Sequence, residues 1–161
     1  MDYKIIKFLS TFDFTIKAAL CSQIGWKGSV PRKDFPTMLV LENNEIIGTI
    51  GGGSLEYKTI ELAKTTFNKP ISFLEHFDMT GSDLEKEKGF CGGKTTILIE
   101  LLSKKVHSLL KSINFKNQPI YIITEVKTKK PIVIRRIYLD NKSDKNLLSG
   151  ELKAFYETAL N

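Results

Sequence analysis

The sequence predicts an α/β (α+β) fold, a single domain spanning residues 1–161 with a mixed, largely antiparallel sheet and flanking helices. Three observations lead there. Short segments of alternating apolar residues recur along the chain, separated by turn-forming residues. Between them lie stretches whose apolar residues return at helical intervals. The pair Asn43-Asn44 can adopt positive φ, which joins two strand-like segments into an antiparallel hairpin.

Taken in order, "YKIIKFLS" from Tyr3 to Ser10 carries Ile5, Ile6, Phe8 and Leu9 and suits a short helix. "FTIKAALCSQ" puts Phe14, Ile16, Ala18 and Leu20 on one parity and predicts a strand from Phe14 to near Ile24. "GWKGSVPRKDFP" mixes glycines, prolines and charges, and predicts a loop long enough to suggest function. "TMLVLENNEIIGTI" is the hairpin, with strands Met38–Leu41 and Glu45–Ile50. After a glycine run, "SLEYKTIELAKTTF" reads as a helix with Ser54 as N-cap and Pro70 as its stop. "ISFLEHFDM" is an imperfect strand, "TGSDLEKEKGFCGG" a second polar loop, and "KTTILIELL" a strong strand with Ile97, Ile99 and Leu101 on one face. Beyond Leu102, "KKVHSLLKSI" predicts a helix, "PIYIITEV" and "PIVIRRIYL" strands joined by "KTKK", and "SGELKAFYETAL" a terminal helix.

Composition narrows the function classes. Hydrophobic residues are 42% and charged residues 26%, ordinary for a globular chain. The +6 formal charge comes from scattered lysines, the pattern of a solvated surface, so nucleic-acid binding is not expected. No apolar run approaches the ~20 residues that span a bilayer, and the first residues lack a signal peptide's uninterrupted apolar core. A cytoplasmic protein that does not engage membranes is the expectation. Cys21 and Cys91 do not make a disulfide framework. His76 and His107 have no partners at metal-ligand spacing, and no Ser–His–Asp arrangement is indicated.

Three short segments concentrate the chemistry. In "GTIGGGSLE" a strand runs through Gly51, Gly52 and Gly53 into a helix, presenting N–H groups and the positive end of a helix dipole to an anion. The run lacks the spacing of a dinucleotide fingerprint and the closing lysine of a P-loop, and a tight turn without a ligand accounts for it equally well. "GSVPRK" from Gly28, with Ser29 and Arg32, offers a guanidinium on a proline-stiffened loop, or simply a surface turn. "GFCGGK" sets Cys91 before Gly92 and Gly93, where Lys94 could favour thiolate; the plain alternative is a small buried residue beside a turn, the role expected of Cys21. Glu56 is either a dipole partner in the first helical turn or a group at the ligand.

In order, "GSVPRK", "TMLV", "IIGTIGGGSLE" and "CGGKTTILIELL" resemble the XdhC/CoxI family, accessory proteins of xanthine dehydrogenase and related molybdenum hydroxylases. The resemblance covers about residues 10–102. Val30 replaces an alanine of the family pattern, and "DFPTM" stands where a turn containing Pro-Gly is expected. The resemblance implies binding of the molybdenum cofactor, molybdopterin or its dinucleotide form, and its delivery to an apo molybdenum hydroxylase, with support for sulfuration. Chemistry placed on the matching positions puts Gly28, Ser29, Arg32, Gly51, Gly52, Gly53, Ser54, Glu56, Cys91, Gly92 and Gly93 at the cofactor, with Cys91 as the possible molybdenum contact or sulfur carrier. Full-length members of the family continue into a Rossmann-like domain, and none is read in this sequence, so a separately encoded partner carrying it is the expectation. A homodimer is expected on the separate ground that glycine loops on one edge can share a site across a two-fold, the commonest assembly. Two other readings stay open: a sulfurtransferase-like or nucleotide-processing enzyme using Cys91, and an interaction module that has lost its ligand.

Overall fold

The computed structural model describes residues 3–80, 92–104, 121–127 and 133–139. The chain divides into two compact units, Met1–Lys111 and Ser112–Asn161. In the first, the elements are α1 (Tyr3–Thr11), β1 (Ala18–Gly28), β2 (Thr37–Leu41), β3 (Ile46–Gly48), α2 (Gly53–Asn68), β4 (Phe73–Asp78) and β5 (Gly93–Leu101). The strands form one sheet in the order β3-β2-β1-β5-β4, antiparallel at each pairing. In the second unit, β6 (Tyr121–Lys127) and β7 (Val133–Leu139) pair antiparallel, Tyr121 opposite Leu139 and Lys127 opposite Val133. The helix expected in "KKVHSLLKSI", the terminal helix and the loop carrying Cys91 lie outside the described residues.

β1 sits at the centre of the sheet because both of its faces are apolar. Ala18, Ala19, Leu20 and Cys21 are all buried, so this stretch reads as a continuous apolar run. Ala19 and Cys21 join Met38, Val40, Ile97 and Ile99 in a core that includes Leu55 and Ala63 of α2. On the other parity Leu20, Leu39 and Leu98 are fully buried, as are Ile5 and Leu9 of α1. Each such aliphatic side chain contributes ~1.5–3 kcal/mol of burial free energy, which explains why the sheet tolerates a three-residue edge strand such as β3.

α2 buries Leu55, Thr59, Ala63 and Thr66, a stripe dominated by small side chains that lets the helix approach the sheet closely. The two buried hydroxyls are satisfied locally: Thr59 Oγ1 donates to the Leu55 carbonyl at 2.8 Å and Thr66 Oγ1 to that of Ala63 at 2.7 Å.

Several boundaries differ from the sequence expectation. β1 begins at Ala18, because Phe14 takes φ 63° and the Asp13 carboxylate accepts from the Thr15 amide at 3.0 Å, turning the chain before the strand. β1 then runs on to Gly28, absorbing its irregularity in a bulge between Gln23 and Gly25, so the loop shrinks to residues 29–36. The N-cap of α2 is Gly52, with no side-chain cap, and Ser54 lies inside the first turn. The hairpin holds: the Asn44 amide donates to the Leu41 carbonyl at 2.9 Å with Asn44 at φ 68°. In the turn that departs from the family pattern, Phe35 stands in the left-handed region at φ 50°.

Candidate functional site

The segments rich in glycine meet at one end of the sheet. Gly28, the last residue of β1, pairs directly with Gly93, the first of β5. Gly93 is packed so closely that a Cβ there would collide with the Ser29 carbonyl oxygen and come within 2.8 Å of that of Lys27. On the other side of the same loop, a Cβ on Gly51 would stand 2.7 Å from Pro31 Cβ, and Gly51 itself has φ 132°, a conformation open essentially to glycine. Ser29 and Pro31 therefore bridge two turns some forty positions apart in sequence. At Gly52, Gly53 and Gly92, by contrast, no atom of the described residues stands within 4 Å of where a Cβ would be.

Glu56 organises the turn into α2. Its Oε2 accepts from the Ile50 amide at 3.1 Å, from the Gly52 amide at 3.1 Å and from the Thr49 hydroxyl, and Thr49 Oγ1 accepts from the Gly51 amide at 3.1 Å. Glu56 is the negative group in the first turn of α2, placed where the helix dipole favours it. This carboxylate thus takes up N–H groups that the sequence left for a ligand. At the start of α2 no side-chain cap is made among the described residues, and the first-turn amides of Gly53, Ser54 and Leu55 are ones that helix geometry leaves without a partner inside the helix.

The remaining expected residues divide between the cluster and its surroundings. Arg32 directs its fork at Asp34, with Nε donating to Oδ1 at 2.9 Å and a second nitrogen to Oδ2, and this hydrogen bonding holds the Asp34 carboxyl below its ordinary range. Beneath the loop, buried Gln23 donates from Nε2 to the Arg32 carbonyl at 3.2 Å and to Thr95 Oγ1 at 3.0 Å. Thr95 in turn donates to the Gly25 carbonyl at 3.1 Å, tying loop, bulge and β5 together. Lys94, offered by the sequence as an activator of Cys91, is ion-paired with Asp78 of β4 at 2.5 Å, and this pairing leads the lowering of the Asp78 carboxyl. Cys21 is fully buried, and desolvation, reinforced by Glu100, pushes its thiol far above the ordinary range. It is an inert core residue, as expected. Cys91 lies outside the described residues; its neighbours Gly92 and Gly93 belong to the cluster.

Sequence reasoning overlooked Thr49, Gln23, Pro31 and Asp34 as organisers of this end. Asp34, two residues after Arg32, carried a signal in its charge; Gln23 carried none, since its side-chain partner Thr95 arrives from a strand about seventy positions away and its other partner is a backbone carbonyl. Among the described residues no group of three or more histidine, cysteine, aspartate or glutamate side chains is placed to hold a metal. Among them, too, no helix is long and apolar enough to cross a membrane.

Comparison with known proteins agrees with the motifs. Residues 16–78 match the profile of the XdhC and CoxI family, a span that includes the Gly28–Arg32 loop and the Gly51–Glu56 turn. A crystal structure described as a xanthine dehydrogenase from Bacillus halodurans superposes with a TM-score of 0.73 at 19% identity, over 86% of this chain. That likeness is one of fold, and this chain spans 42% of the length of that protein. No curated protein sequence matches.

Proposed function

We propose that this chain is an accessory protein of a xanthine dehydrogenase-type molybdenum hydroxylase, binding the molybdenum cofactor at the glycine cluster and supporting its insertion and sulfuration. The observation that carries this reading is the family match over residues 16–78, which contains two of the three segments that meet at the cluster. The residues present fit a phosphate-bearing ligand: space left open by the described residues at Gly52 and Gly53, and first-turn amides without a side-chain cap at the positive end of α2.

In this reading Gly53, Ser54 and Leu55 donate to the terminal phosphate. Gly51 and Gly52, whose amides are engaged within the turn, keep the backbone thin enough for approach. Glu56 acts as a positioning residue that holds the turn open rather than as a contact. Gly28, Ser29 and Gly93 form the adjoining wall, and Arg32 supplies positive charge at the rim, offset in part by Asp34. Cys91, next to Gly92, is the proposed contact for the metal or carrier of sulfur; the cofactor supplies the client enzyme with its reactive molybdenum. The partners in this scheme are a cytoplasmic apo-hydroxylase and a second copy of the chain.

The test is to purify the full chain from cells that make the cofactor, oxidise it and measure pterin fluorescence, alongside equilibrium binding of molybdopterin to wild type and Arg32→Ala. Retained pterin and weaker binding by the variant are expected. Absence of both retention and binding in wild type overturns the reading. Cys91→Ala is expected to fold and bind yet fail to restore client activity; full client activity with that variant removes Cys91 from the scheme.

A further inference from the structure

Phe35 combines two features that are costly apart from function. Its backbone stands at φ 50°, a left-handed conformation that a bulky side chain rarely adopts, and its side chain is 52% exposed, one of the few large apolar groups turned to solvent among the described residues. Exposure removes core packing as the reason for the strain. The ring is nevertheless held in place: it meets the ring of Trp26 edge to face, with centroids 4.8 Å apart and planes at 63°. Trp26 packs against the core shared by the sheet and α2, and so gives Phe35 a firm support.

The position matters as much as the strain. Trp26 lies two residues before Gly28 on β1 and pairs with Thr95, as Gly28 pairs with Gly93, so both residues fall on the same face of the sheet. The loop that carries Phe35 also contains Ser29 and Pro31, the residues that bridge the glycine turns. A clamped aromatic surface therefore stands beside the end of the sheet where backbone amides favour an anion. We propose that Phe35, buttressed by Trp26, is a stacking surface for the flat heteroaromatic ring of a ligand whose anionic end is held at the glycine cluster. This deepens the proposed function, on whose reading of the cluster it rests, and adds a contact made through a π face rather than a hydrogen bond.

Trp26 is the sole tryptophan of the chain, so its fluorescence reports the site directly. The experiment titrates the full chain with three probes: a simple pterin, a pterin bearing a terminal phosphate, and adenosine. Wild type should show saturable quenching by both pterins, tighter with the phosphate. Phe35→Gly should bind each roughly tenfold or more weakly, the scale of losing one aromatic stack, while its urea midpoint stays level or rises because glycine accepts the left-handed backbone. Phe35→Tyr should bind as wild type does. Equal pterin binding by wild type and Phe35→Gly overturns the stacking role and leaves the cofactor reading standing. A midpoint that falls together with binding overturns it too, by making Phe35 structural. Phe35-dependent binding of adenosine without any pterin binding keeps the stacking surface and removes the cofactor reading. Quenching by none of the three removes both.

Discussion

Glu56 shows how a single side chain can answer a question that the glycine run poses. A strand entering a helix through Gly51–Gly53 leaves amides without partners, and one carboxylate oxygen takes two of them together with the Thr49 hydroxyl. Glu56→Ala should therefore cost about 2 kcal/mol, since amides lose a charged acceptor in a half-buried turn; Glu56→Gln should cost about half as much, read from urea unfolding midpoints. Cys21 gives a prediction in pH. Its folded thiol is held neutral by burial and by Glu100, whereas in the unfolded chain it ionises at an ordinary value. Its contribution is fully present below the ordinary thiol range and declines as pH rises beyond it, by at most about 1.4 kcal/mol per pH unit. Wild type should thus lose stability above about pH 8.5 faster than Cys21→Ala does, and equal slopes would contradict this account. Asp78 runs the other way: its carboxyl is lowered by Lys94 and by Thr80, so the stability it adds at neutral pH disappears under strong acid.

At the scale of elements, the contact between β1, β5 and the following loop depends on missing side chains. Gly93→Ala would drive a Cβ into the Ser29 carbonyl, whereas at Gly25, on β1, no atom of the described residues lies within 4 Å of the corresponding position. Gly93→Ala should lose about 2 kcal/mol or more and disrupt the Gly28–Gly93 pairing; Gly25→Ala should change stability by less than about 0.5 kcal/mol, both measured by chemical unfolding. The elements themselves were largely legible in the sequence. α1, the Asn43-Asn44 hairpin, α2, β4 and β5 fall within a few residues of where periodicity and turn chemistry put them. The departures share a cause: the start of β1 is delayed by the turn at Asp13 and Phe14, and its end is extended by pairing of Trp26, Lys27 and Gly28 with β5. Cross-strand pairing leaves little trace in a local pattern, so a segment rich in glycine and charge reads as a loop even when a neighbouring strand holds it straight.

Across the whole molecule, order of protection follows from sheet topology. β1 pairs on both edges, with β2 and with β5, while β3 and β4 each pair on one. Amide exchange should be slowest for Leu20, Cys21 and Ser22 and fastest for β3 and β4; slower exchange in β3 than in β1 would contradict the strand order. The motifs, the antiparallel character of the sheet and the presence of an anion-compatible turn before α2 could be read from composition and spacing, because helix starts, hairpins and glycine runs are local chemistry. That Gly28–Pro31 would lie between Gly51 and Gly93, that Glu56 would face inward to the turn and Arg32 toward Asp34, and that Phe35 would rest on Trp26 depended on the folded chain. Those arrangements join residues from distant strands, and which amide, carboxylate or ring finds which partner is settled by how the strands pair and pack.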